Sequence, residues 1–250
     1  MIYLLLFWLG GLIAPTPLRI VVNLPAYRLD VFVDDSLART IPIAVGMVRF
    51  PTPRGSFVIT SIEWNPWWIP PDSPWAAREK PTPPGPTNPM GRVKLNFRPL
   101  YFLHGTPTPT SIGSAASHGC IRLRNEDAIA LARLVHHYGT PGLGADAIDA
   151  FARDTVTTRE IPLEWLVPIE VRYDLVEITA GRVTVYRDVY GLSAHSLPDA
   201  VRSALAEHGV DTARVDETRL RGLVRRLPRA GRSMSVDSLL LEYPRGAAPH

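Results

Sequence analysis

Up to residue 124 the apolar residues of this chain come in short runs divided by turn-forming residues, a period that suits strands and not helices. Residues 19–32 alternate in such runs, with Pro25 and Tyr27 between them. Asp34-Asp35 reads as a turn, and residues 38–45 as the next strand. Arg54-Gly55-Ser56 then precedes the β-rich run Phe57-Val58-Ile59-Thr60-Ser61-Ile62. Many short strands with little helix predict a mostly β fold, here an antiparallel β-sandwich-like domain. A helix is predicted only past residue 124. Asn125 suits its N-cap, Glu126 and Asp127 suit its first turn, and apolar residues recur at Ile129, Leu131 and Val135 before Gly139 and Pro141 end it. That gives the domain one capping helix.

Past Pro141 the pattern changes. A short helix is expected over 146–153, and two β-type runs, 167–178 and 182–190, flank Thr179-Ala180-Gly181 as a hairpin. Residues 198–208 and 217–227 have helical period, with Gly209 as a stop. The expected organisation is therefore a main domain over 18–141 and a small α+β appendage over 142–250. Residues 1–17 form a leading segment, apolar over 2–14 and without Lys or Arg before Arg19. It reads as the hydrophobic part of a signal peptide or as a short membrane anchor, although no basic residue precedes it and no Ala-x-Ala site ends it. A buried first strand is the other reading.

Charge and composition exclude more than they identify. A net charge of +3 over 250 residues is too small to argue for nucleic acid, and the arginine-rich stretch 214–232 reads as a solvated helix face. No zinc-type Cys/His spacing, no phosphate-cradling glycine loop and no internal repeat is found, so no metal and no cofactor is expected.

Chemistry concentrates in His104-Gly105-Thr106 and Ser117-His118-Gly119-Cys120-Ile121-Arg122-Leu123. Cys120 is the only cysteine of the chain, so it cannot form an internal disulfide. A thiolate nucleophile needs an imidazole to take its proton and backbone amides to hold an oxyanion, and the segment supplies all of these. The pattern closely resembles the active-site signature of the L,D-transpeptidase catalytic domain. The resemblance extends from Leu18-Arg19-Ile20-Val21-Val22-Asn23-Leu24 through Pro42-Ile43-Ala44-Val45-Gly46 and Thr52-Pro53-Arg54-Gly55-Ser56-Phe57 to Asn125-Glu126-Asp127-Ala128, covering about residues 18–140.

The resemblance implies a role for each residue. Cys120 is the nucleophile, attacking as a thiolate, and His104 the general base, its ring oriented by the Gly105 carbonyl. His118 supports the loop, Gly119 and Cys120 offer oxyanion amides, and Ser117 shapes the loop through hydrogen bonds. Arg122 lowers the thiol pKa, holds a substrate carboxylate, or fixes the following turn by a salt bridge. Residues 64–90 are dense in proline and carry Trp64, Trp67, Trp68 and Trp75. They read as a semi-rigid flap with these tryptophans as substrate-binding residues, or else as a loop whose tryptophans cap the sheet.

The implied donor is a peptidoglycan tetrapeptide stem, cleaved between a third-position diamino acid and D-alanine through a thioester. The acceptor is left open: a neighbouring stem, giving a 3→3 cross-link, a lysine of an envelope protein, a free D-amino acid, or water. An L,D-carboxypeptidase or endopeptidase of the same fold and a non-catalytic peptidoglycan-binding module are the rival classes. Export to the periplasm or cell envelope follows from such a substrate, with membrane contact only through an uncleaved leading segment.

Overall fold

The computed structural model describes residues 17–241. The segment expected as signal or anchor therefore lies outside the described residues, save Pro17. Among the described residues no helix is long and apolar enough to cross a membrane.

The first strands follow the predicted runs: β1 (Leu18–Asn23), β2 (Arg28–Val33), β3 (Ser36–Pro42), β4 (Val45–Gly46) and β5 (Gly55–Trp64). After the tryptophan-rich segment come β6 (Val93–Arg98), β7 (Tyr101–His104), β8 (Ala115–Ser117) and β9 (Ile121–Arg122). Helices α1 (Asn125–Gly139) and α2 (Ala145–Arg153) precede the long strand β10 (Arg159–Arg172). Eight strands join one sheet in the order β3-β2-β1-β10-β5-β6-β7-β9, and β4 pairs with β8 separately. The sheet is mixed where an antiparallel sandwich was expected, because β1–β10 and β7–β9 run parallel.

Alternation places the core. In β6, Val93, Leu95 and Phe97 are buried, while Lys94 turns away and meets Glu63 of β5 at 2.7 Å. In β10, Val167, Ile169 and Val171 point inward on the same period. Helix α1 covers that face with Ala128, Leu131, Ala132, Val135 and His136, the i, i+3, i+4, i+7 stripe of a packed helix. It packs chiefly on β10 and β6. The short helix expected over 146–153 is α2, and it lies beside α1.

The boundary expected after residue 141 needs correction. β10 lies between β1 and β5, at the middle of the main sheet, so the first core extends to Val171. Its pairing with β5 shifts register between Pro162 and Val167, a bulge that takes up the proline-containing stretch. The second core starts later. β11 (Val176–Thr179), β12 (Arg182–Val185) and β13 (Arg232–Ser235) form a small sheet, covered by α3 (Leu197–Glu207), α4 (Glu217–Val224) and the short α5 (Val236–Leu239). The hairpin at Ala180-Gly181 is where the sequence places it, with φ of +49° and +69° suiting a tight two-residue turn.

This second unit is tied to the main sheet by a half-buried polar network. Arg28 of β2 grips Glu177 of β11 through two hydrogen bonds of 3.0 and 2.9 Å, and Asn23 and Tyr186 donate to the same carboxylate.

Candidate active site

His104 ends β7 and Cys120 immediately precedes β9. The parallel pairing of the two strands sets Leu103 opposite Ile121 and His104 opposite Arg122, and Leu123 N–H donates to His104 O at 2.8 Å. His104 at the end of one strand and Cys120 just ahead of its neighbour are thus anchored to one sheet, which fixes their relation better than a free loop would.

His104 is buried, 1% exposed, with Nδ1 2.6 Å from the Gly105 carbonyl oxygen. A carbonyl only accepts, so Nδ1 carries the hydrogen and Nε2 keeps its lone pair. Burial pulls the imidazole down to about 4, helped by the charges of Arg122 and Lys94, against main-chain hydrogen bonds at Gly105 and Met90 that favour the charged ring.

The Cys120 thiol is half-buried, with Sγ 3.7 Å from Leu100 O. Burial pushes it up to about 11, although a hydrogen bond to the Phe102 main chain and the charges of Arg122 and Lys94 pull the other way. Burial thus favours the neutral form of both groups, thiol and imidazole, over the thiolate that the resemblance implies.

The loop between β8 and β9 is set by its small residues. Gly119 has φ +108°, a region glycine adopts without strain, and a Cβ there would come 2.7 Å from Tyr101 Cε1. Ser117 Oγ accepts from Gly119 N–H at 3.1 Å and donates to Cys120 O at 2.5 Å, the loop-shaping part expected of it. One consequence was not expected: the Gly119 amide already has a partner.

His118 stacks flat on Trp75, with ring centroids 3.8 Å apart and planes 8° apart, and tilts against Phe50. Its pKa is lowered, by burial first and then by Arg122 and Arg49. Arg122 has no carboxylate in salt-bridge reach among the described residues, so the turn-fixing ion pair is not found. Its Nε is buried without a hydrogen-bond partner among them.

The four tryptophans part company. Trp75 reaches the site through His118. Trp67 is 46% exposed, and Trp68 forms an isolated bridge with Thr82. Trp64 cannot bind substrate as expected, because it is fully buried in β5 with Nε1 donating to His136 Nε2 at 3.0 Å.

Two asparagines organise the surroundings. Asn88, fully buried, donates to the carbonyls of Pro66, Thr82 and Pro83 and accepts from Met90 N–H, so it pins the tryptophan-rich segment from within. Asn125, predicted as an N-cap, is the first residue of α1 and caps nothing. Its side chain accepts from Arg92 N–H and donates to Thr106 O, joining the turn that enters β6 to the segment that leaves β7 after His104. Only their turn-forming residue type marked them in sequence. Among the described residues no group of three or more His, Cys, Asp or Glu could hold a metal ion.

A buried imidazole thus ends β7, the chain's lone cysteine precedes the adjoining β9, and a glycine with positive φ lies next to that cysteine. The YkuD family model, the L,D-transpeptidase catalytic domain, matches residues 17–158, and the chain belongs to that family. It is 38% identical over 120 residues to the "Putative L,D-transpeptidase YkuD" of Bacillus licheniformis, covering 48% of this chain and 61% of that protein. It is 37% identical over 131 residues to the "Probable L,D-transpeptidase ErfK/SrfK" of Escherichia coli, covering 46% and 41%. The chain thus spans less than two thirds of either relative. Among solved structures, the catalytic domain of an E. faecium L,D-transpeptidase aligns at 16% identity and a TM-score of 0.41, over 63% of this chain and 98% of that one.

Proposed function

We propose that the protein is a cysteine-dependent L,D-transpeptidase acting on peptidoglycan tetrapeptide stems in the cell envelope. The observation that supports this reading is the β7–β9 register, which ties His104 at the end of β7 to the strand that Cys120 precedes, with the histidine tautomer set by Gly105. His104 Nε2 accepts the thiol proton as Sγ attacks the carbonyl between the third-position diamino acid and D-alanine. The tetrahedral oxyanion collapses to a thioester, and the imidazolium returns the proton to the departing D-alanine amine. A second amine then attacks the thioester, its proton passing through His104, and releases Cys120 as the thiol.

The high resting pKa of the thiol supports proton transfer during attack over a preformed ion pair. With the Gly119 amide engaged by Ser117, the amide of Cys120 is the better oxyanion donor. Arg122, cationic and close enough to pull the thiol down, favours negative charge developing on sulfur. Trp75, seated on His118, is the substrate-side aromatic of the flap. The amine acceptor is a neighbouring stem, giving a 3→3 cross-link, or another amine.

Incubation of purified protein with tetrapeptide muropeptides tests this. Mass analysis is expected to show cross-linked dimers with loss of D-alanine. Tripeptide alone would assign a carboxypeptidase, and unchanged tetrapeptide would overturn the reading.

A further inference from the structure

Residues 186–193 leave β12 and return to the main sheet before α3 begins. Within them Tyr190 Oη donates to Gly46 O at 2.9 Å and accepts from Thr52 N–H at 3.2 Å. Thr52 Oγ1 in turn accepts from Gly46 N–H at 2.8 Å, so one phenol and one hydroxyl close the turn 46–52.

That turn is the backing of the cysteine loop. Met47 N–H donates to Ser117 O at 2.9 Å. A Cβ added at Gly46 would lie 2.1 Å from Phe50 O and 3.0 Å from Gly119 Cα, so the two backbones are in direct contact. Any opening of the turn is therefore felt at Ser117–Cys120.

The phenol is itself held firmly. The Tyr190 ring stacks on Tyr173 at 5.5 Å and 19°, and its N–H donates to Tyr173 Oη at 2.6 Å. Tyr173 Oη donates to Asp188 Oδ1 at 2.6 Å, and Asp188 also accepts from the amides of Leu192 and Ser193. Burial pushes the Tyr190 phenol above the usual tyrosine range, against hydrogen bonding from Thr52, so it stays a donor.

We propose that Tyr190 is a positioning residue for acyl transfer, supplied from beyond the 17–158 stretch that matches the family, which holds turn 46–52 against the loop bearing Cys120. The inference rests on the reading of Cys120 as nucleophile. Its physical basis is that removing the hydroxyl leaves a carbonyl and an amide of the turn without their partner, and that small misplacements of reacting groups are costly in rate.

Tyr190→Phe keeps the stacked ring and removes only the two hydrogen bonds. Carbapenem acylation of Cys120 and alkylation by iodoacetamide are measured side by side, because alkylation needs a thiol but no oxyanion amide. The expected result is a fall of about tenfold or more in the saturating acylation rate, with half-saturation and alkylation each within about twofold of wild type. Thr52→Val loosens the same turn from its other side and is expected to move acylation in the same direction, which keeps the test open should Tyr190→Phe fail to fold. Wild-type acylation in a folded Tyr190→Phe would overturn the proposal, as would equal losses in acylation and alkylation. Undiminished adduct on Cys120→Ala would instead overturn the nucleophile assignment.

Discussion

Two tryptophan–histidine stacks, Trp64–His136 and Trp75–His118, begin and interrupt the same proline-rich segment, yet one lies in the core and the other against the loop that carries Cys120. In the first both residues are fully buried, the planes lie 7° apart, and Trp64 Nε1 donates to His136 Nε2. His136 Nδ1 then meets Thr140 Oγ1, whose hydroxyl donates to His136 O, so every polar atom is answered within β5 and α1. In the second the rings meet face to face at 3.8 Å, both are half-buried, and no hydrogen bond joins them. An edge-on hydrogen bond in the core fixes one structure, whereas a face-on stack at a rim can slide or part. A depressed histidine pKa does not separate these roles: His136 and His104 are both held near 4 by burial, and only one of them adjoins the cysteine.

Substitutions in the core pair give the largest expected effect on stability and the smallest on chemistry. Trp64→Ala is expected to cost about 3–5 kcal/mol, as for a large side chain removed from a packed core. Urea midpoints measure it, while acylation per folded molecule stays at the wild-type rate. Loss of acylation in the folded fraction would break the division between the two pairs.

The share of acid sensitivity that His136 alone contributes is the next largest effect. Both His104 and His136 have folded values of about 4, below the ordinary 6.5. Between these values the unfolded chain binds protons that the folded one refuses. Their contribution is therefore complete above pH 6.5, is lost as pH falls towards 4, and changes no further below that. Each pH unit in the window costs up to about 1.4 kcal/mol per histidine. Urea midpoints at pH 7.0 and 4.5 are expected to differ less in His136→Gln than in wild type; an unchanged difference would remove His136 from the account.

The reach of sequence reasoning follows the same division. Local signals were sound: the glycine-opened cysteine loop, the Ala180-Gly181 hairpin and the start of α1 all lie where short-range pattern puts them. Long-range pairings were not legible. β10 carries Pro162 and Pro168 and finds its partners in β1 and β5, far back in the chain, so its central place had no local mark. Asn88, Asn125 and Tyr190 look like turn, cap and hairpin residues, and their hydrogen bonds to distant main chain decide what they do. The two aromatic residues Trp64 and Trp75 read alike in sequence, and burial alone separates them.

The rim pair gives the smallest and most selective effect. Trp75→Ala is expected to shift the urea midpoint little and to slow muropeptide turnover several-fold, while carbapenem acylation changes less than about twofold. Contacts remote from the reacting bond supply positioning energy that a small strained acylator scarcely uses. Equal losses in both reactions would mean that Trp75 orders His118 and the cysteine loop and does not contact donor.

The central claim is that Cys120, deprotonated by His104 in the act of attack, carries the acyl group. Intact-protein mass followed over time with a carbapenem tests it most directly. A single adduct is expected on the wild type, none on Cys120→Ala, and formation slowed about 10²–10⁴-fold in His104→Ala. An adduct on Cys120→Ala in wild-type yield, or a His104→Ala rate equal to wild type with His118→Ala severely slowed, would contradict it.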